Sequence, residues 1–245
     1  MDKMSSEGNK KEKTKKLFFK KGPFFGKLIR FVIVVLLIPV VIALTLSFYD
    51  YIGNIEAFGD ESFFFLLGCL AYLVFHTIIY KPTFLYVFTH EMLHAIPTWF
   101  TGGRVKRFRV SSKGGFVETT RSSLLILLFP YIIPIFSLIF ILAYYVTGTF
   151  FEEVADYLNL FIFLIGASLS FHIVNTSEAL KTKQPDIEQA GFLLSIIIVY
   201  IFNLLIISGI FNFIFHNFSF LELVKDSLER AKDIYIFLYT RLFYV

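Results

Sequence analysis

Apolar runs at 31–49, 62–80, 83–100, 122–147, 157–175 and 191–215 divide the chain, with short polar stretches between them. A helix rises ~1.5 Å per residue, so runs of about 18 residues or more can cross ~30 Å of hydrocarbon. The pattern predicts an all-α polytopic membrane protein with about six membrane-embedded helical segments. Lys81-Pro82 ends the second run, because proline disfavours helix at the residue before it, and Thr101-Gly102-Gly103 stops the third. Beyond that stop, 104–110 and 116–120 flank the glycine-bearing stretch 111–115 and predict two short strands, a β-hairpin-like loop. Pro130 and Pro134 interrupt the fourth run and predict a kink that opens space beside it.

The two ends have a different texture. Residues 1–30 are polar and lysine-rich, with Leu17, Phe18, Phe19, Phe24 and Phe25 interleaved towards the first run. Residues 216–245 alternate charge with aromatics, Lys225, Asp226, Glu229 and Arg230 preceding Tyr235, Phe237 and Tyr239, the pattern of an amphipathic helix lying on membrane or protein. The expected organisation is a basic N-terminal tail (1–30), a membrane-embedded unit (31–215) and a C-terminal surface helix (216–245).

Composition agrees with this reading: 56% hydrophobic residues and a mean hydropathy of +0.71 exclude an ordinary soluble domain. The net charge of +4 comes largely from residues 3–30, so it bears on orientation and on anionic lipid, and no nucleic-acid partner is expected. Cys69 is the only cysteine, which removes an intramolecular disulfide and a cysteine zinc cluster. The run 31–49 is longer than a signal-peptide core and lacks an Ala-x-Ala exit, so a retained anchor is expected. Residues 50–61 hold four acidic side chains and no Lys or Arg, which places that loop outside and the N-terminus in the cytoplasm. If every run crosses, the basic loop 104–121 lies opposite the lysine-rich tail. If 83–100 enters and returns, or pairs with 62–80 in one net crossing, both basic stretches lie inside, as the positive-inside tendency favours.

Within the third run, His90-Glu91-Met92-Leu93-His94 reads His-Glu-x-x-His. Positions four apart share a helix face, so His90 and His94 can offer ring nitrogens to one metal ion while Glu91 is placed to take a proton from water at that metal. At this composition the motif arises by chance in roughly one such chain in two hundred. A carboxylate at membrane depth also costs a few kcal/mol on insertion scales, a cost usually tied to function. His76 has no companion at metal spacing and reads as a packing histidine.

The chain resembles the site-2 protease class of intramembrane zinc metalloproteases, in particular its compact bacterial-type members. The resemblance rests on His90 to Ala95, then Thr101-Gly-Gly-Arg-Val105, Gly115-Phe-Val117, Pro130-Tyr131 with Pro134, and Gln184-Pro-Asp186, and extends over roughly 62–200. It implies zinc held by His90, His94 and Asp186, with Glu91 activating water to hydrolyse a peptide bond of a membrane-embedded or membrane-adjacent protein. Leu93 stands where many relatives have glycine, and Ile187 follows Asp186 where many have glycine. No asparagine adjoins Asp186 to steady a substrate; Gln184 and Asn175 are the nearest substitutes. Other third ligands stay open, namely His172, Glu178 and Glu188, and Asp186 can instead cap the last helix in a capping box with Gln189. The rival functions are a non-enzymatic relative that binds metal or holds a partner helix, and a cation transporter.

Overall fold

The computed structural model describes residues 24–55 and 59–243. Most of the lysine-rich tail, and Glu56 of the acidic loop, lie outside the described residues. The elements are α1 (Phe24–Ile52), α2 (Asp60–Val74, continued by a π turn at Phe75–Ile79), α3 (Thr83–Phe100), β1 (Val105–Ser111), β2 (Gly114–Thr119), α4 (Leu124–Ile132), α5 (Ile135–Gly148), α6 (Leu158–Lys181), α7 (Pro185–Ala190), α8 (Phe192–Ile214) and α9 (Phe220–Phe243). Among the described residues four helical stretches are long and apolar enough to cross a membrane, and five if α4 and α5, bent by 70°, count as one span. The sixth expected segment, α3, is absent from that set because its motif interrupts the apolar run. The helix α6 also continues through 176–181, which the sequence pattern treated as connection. Polarity ends a span there, but nothing breaks a helix before Pro185.

The bundle is tightest where α2 meets α6. A Cβ on Gly68 would press into the Phe163 carbonyl, and a Cβ on Gly166 into the Phe65 carbonyl, so each glycine lets the opposite backbone approach. Small residues at a helix crossing are how apolar helices gain close packing when lipid offers no hydrophobic contrast. One core, which includes Leu44, Phe65, Ile162, Ile165, Leu204 and Leu223, joins α1, α2, α6, α8 and α9; a second, which includes Leu128, Tyr131, Ile132, Ile187 and Val199, joins α4, α7 and α8. The C-terminal helix lies on protein: α9 packs along α1, with Ser47 donating to Asp226 (2.6 Å) and Arg230 paired with Asp50 (2.7 Å). The Ser47 hydroxyl, ahead of the Arg230 guanidinium, holds the Asp226 carboxyl below its usual range.

The path of the chain bears on topology. α2 and α6 run side by side in one direction, Phe65 facing Gly166 and His76 facing Glu178, and Lys81 then bonds Glu178 (2.7 Å). Arg30 donates to the Gln189 carbonyl (3.3 Å) and Gln189 to Ser122 (3.1 Å). The start of α1, the connection between α6 and α8, and the chain entering α4 therefore share one end of the bundle. Residues 83–121 begin and end there, so α3 with its hairpin makes no independent crossing, and the basic hairpin lies at the same end as Arg30.

Gly68→Leu is expected to lower the melting temperature of the detergent-solubilised protein by at least ~5 °C through overpacking against backbone. Gly209→Leu, at a position with open space around it, should leave it unchanged. With Cys69 replaced by Ser, cysteines at Lys13 and Lys113 should react with an impermeant thiol reagent from one side of the membrane and a cysteine at Ala57 from the other. Labelling of positions 13 and 113 from opposite sides would contradict the path described above; Lys13 and Ala57 lie outside the described residues.

Candidate active site

The motif helix α3 is closed at its C-terminal end by the two glycines that signalled its stop. Gly102 takes φ 74°. Its N–H bonds the Trp99 carbonyl (2.9 Å) while the Gly103 N–H bonds the Thr98 carbonyl (2.8 Å), the paired bonds of a Schellman motif. The Arg121 guanidinium donates to the Thr101 carbonyl, tying the far end of the hairpin to the same cap. The helix is thus fixed just beyond His94, and the chain is turned back along it.

The hairpin then lies on α3. β1 and β2 pair antiparallel, Phe108 opposite Val117 and Ser111 opposite Gly114, and Phe108 meets Phe88 edge to face. Gly115 explains the closeness: a Cβ there would lie 2.9 Å from Glu91 Cγ and 2.8 Å from Val87 Cγ1. Only glycine lets β2 run directly over Glu91. The Val117 amide lies near the Glu91 carboxylate, and Glu91 is 9% exposed. The glutamate of the motif is therefore roofed by a strand edge.

On the other side stands α4. Pro130 has no N–H, so the carbonyl of Ile126, four residues earlier, loses its helical donor. His94 Nδ1 supplies it at 2.7 Å. A carbonyl only accepts, so Nδ1 carries a proton, and Nε2 is the nitrogen left to face Asp186 Oδ2, at 3.2 Å. His90 Nε2 lies 3.7 Å from the same oxygen. The three candidate ligand atoms all fall within 4.8 Å of one another, and among the described residues no other group of three or more His, Cys, Asp or Glu does so.

Asp186 occupies the second position of the short helix α7, after Gln184 and Pro185, and no side chain caps that helix. Gln189, the proposed partner in a capping box, bonds Ser122 instead. The Asp186 carboxylate faces the histidines and accepts from Tyr131 Oη at 3.3 Å. Burial opposes its ionisation, yet the two imidazoles outweigh that and hold its pKa below the usual carboxylate range.

The remaining candidates go elsewhere. His172 bonds Asn203 (2.9 Å), Glu178 pairs with Lys81 (2.7 Å) and approaches His76 (3.4 Å), and Glu188 is exposed. Gln184 bonds Thr182, and Asn175 donates to Tyr72 and to the Phe171 carbonyl. His76, buried between Tyr72 and Glu178, is a packing histidine. Beside the motif lies a cavity of about 20 Å³ lined by His90, Leu93, Pro130, His172 and Asn175 among others, room for a single water. Sequence reasoning missed the parts played by Tyr131, Asn203 and the Ile126 carbonyl; Pro130, spaced four residues after Ile126, was the available signal for the last.

Gly115→Val is expected to push β2 away from Glu91. Turnover of any substrate should fall at least tenfold (~1.4 kcal/mol of barrier) while metal content is unchanged. Equal turnover in the variant would show that the close approach is dispensable.

Residues 64–181, just under half of the chain, match the model of the Peptidase M50B-like family. No curated protein and no solved structure matches the chain. The matched residues include His90, Glu91, His94 and the hairpin that roofs Glu91, and the match is consistent with the site-2 protease class that the motifs resemble.

Proposed function

We propose that the protein is an intramembrane zinc endopeptidase that cleaves a membrane-embedded or membrane-adjacent segment of another membrane protein. The observation that carries this reading is the convergence of His90 Nε2, His94 Nε2 and an Asp186 oxygen beside a buried Glu91. The donor set fits zinc: two imidazoles and one carboxylate make three protein ligands of types that zinc accepts, and His94, with Nδ1 donating to a carbonyl, has Nε2 to offer. Zinc held there would act as a Lewis acid on the scissile carbonyl and increase the acidity of water.

The chain's own groups do the rest. Glu91 Oε takes the proton of the attacking water and delivers it to the departing amine nitrogen, so that the C–N bond breaks without expelling an amide anion. The roof of β2 and the buried motif face keep bulk water from the carboxylate. A substrate helix must unwind before its carbonyl can be attacked, because helical carbonyls are already bonded and shielded. Over Glu91, the hairpin offers strand edges to which an unwound segment can pair.

Glu91→Gln should abolish hydrolysis of a transmembrane peptide in the purified protein and leave zinc stoichiometry at the wild-type value. His90→Ala and Asp186→Asn should each lose zinc together with activity. Stoichiometric zinc without cleavage in the wild type would favour a metal-binding relative, and full zinc occupancy in Asp186→Asn would remove the aspartate from the site.

A further inference from the structure

The break between α4 and α5 leaves a second carbonyl to be satisfied. Ile135, whose N–H in a continuous helix would bond the Tyr131 carbonyl, bonds Ile133 instead (2.9 Å). Tyr131 O is thereby released in apolar surroundings, where an unpaired carbonyl costs several kcal/mol. Asn203 Nδ2, reaching across from α8, donates to it at 2.8 Å. The same nitrogen donates to Val199 O (2.8 Å), so the amide has its nitrogen end on two carbonyls and its Oδ1 turned to His172 Nε2 (2.9 Å). With both ends committed, the Asn203 side chain has one orientation.

The phenol of Tyr131 points the other way. It is 1% exposed, its ring stands edge-on to the His90 ring with centroids 5.1 Å apart, and its hydroxyl donates to Asp186 Oδ2 (3.3 Å). The connections close on themselves. Asp186 sits on α7, which leads through Gly191 into α8; Asn203 on α8 holds the backbone of Tyr131; and Tyr131 returns to Asp186. Ser195 fastens the corner by donating to the Gly191 carbonyl (2.9 Å). This circuit is the means by which a residue far from the motif in sequence acquires a fixed direction towards it.

We propose that Tyr131 is the positioning residue for Asp186, and that Asn203, oriented by His172, sets the position of Tyr131. The inference rests on the reading of His90, His94 and Asp186 as zinc ligands. Groups that orient a metal-bound carboxylate usually alter affinity 10- to 100-fold, about the size expected here. A merely space-filling Tyr131 would be replaced by phenylalanine at no cost to the metal.

The test is a double-mutant cycle on zinc affinity, measured by competition with a chelator on the full chain in detergent, with cobalt(II) absorption as a second readout. Tyr131→Phe should weaken zinc about tenfold or more and shift the cobalt band, with the melting temperature of the metal-free protein unchanged. Asn203→Leu should also weaken zinc, and the double variant should be no weaker than about twofold beyond the worse single one, because both act through one hydroxyl. Unchanged zinc affinity and cobalt spectrum in Tyr131→Phe, or additive losses in the double variant, would overturn the proposal. Tyr131→Phe decides alone if Asn203→Leu does not fold. Asp186→Asn separates the two levels: if it binds zinc as the wild type does, the ligand assignment has failed, whereas if it loses zinc while Tyr131→Phe does not, only the positioning role has failed.

Discussion

In hydrocarbon, a backbone carbonyl that loses its helical donor must find another, and this protein places prolines and a helix break where such carbonyls become useful. Pro130 removes the donor of Ile126, and His94 takes up the released oxygen. The break before α5 removes the donor of Tyr131, and Asn203 takes up that one. In each case a polar side chain that would be costly alone is satisfied by a carbonyl that would be costly alone. The first pairing fixes the tautomer of a motif histidine, and the second anchors the residue that meets Asp186. A straight α4–α5 helix would satisfy its own carbonyls and deprive both side chains of these two partners.

The same end of the bundle is held from the side of α2. The close approach of α2 and α6 at Gly68 and Gly166 leads into a polar cluster in which Tyr72 meets both His76 and Asn175, and Glu178 meets both His76 and Lys81. Lys81 stands just before Pro82 and the first turn of α3. The start of the motif helix is thus pinned to α6 by an ion pair, and its other end is pinned by the glycine cap and Arg121. Glu91 and the two histidines lie between these fixed ends.

Much of this was legible from residue pattern, and the limits are physical. The His-Glu-x-x-His spacing determines a shared helix face whatever the tertiary structure, and the positive φ needed at Gly102 made the stop of α3 readable. The hairpin was visible from its glycines, although the pairing begins at Gly114 with a tighter turn than 111–115 implied. The third member of the cluster was selected only by resemblance, because 91 residues separate His94 from Asp186 and periodicity carries no information over that distance. Whether α3 crosses was not legible either. Apolarity marks what is buried without saying in what, and the motif face of α3 is buried against protein, with Leu93 at 3% and Ala95 at 2% exposure. Tyr131 and Asn203 gave no signal because their importance lies in carbonyls set free by a break elsewhere in the chain.

The division of labour between elements follows from what each can tolerate. The glycine-packed contact of α2 with α6 needs regular helices, since each turn must present its small residue in register. A site that holds two histidines, an aspartate and a glutamate needs the opposite, short elements and freed backbone groups that can be aimed individually. The chain separates the two demands: its regular spans carry the larger apolar core, while α3, the hairpin, the α4–α5 break and the six-residue α7 meet at one end around the motif. Irregular backbone is stable in a membrane protein only when it is covered by protein or lines a cavity. Here β2 covers Glu91, α4 covers His94, and the small cavity beside His90 lies among α3, α4, α5 and α6. The reactive groups are therefore gathered where short elements, freed carbonyls and a helix break meet.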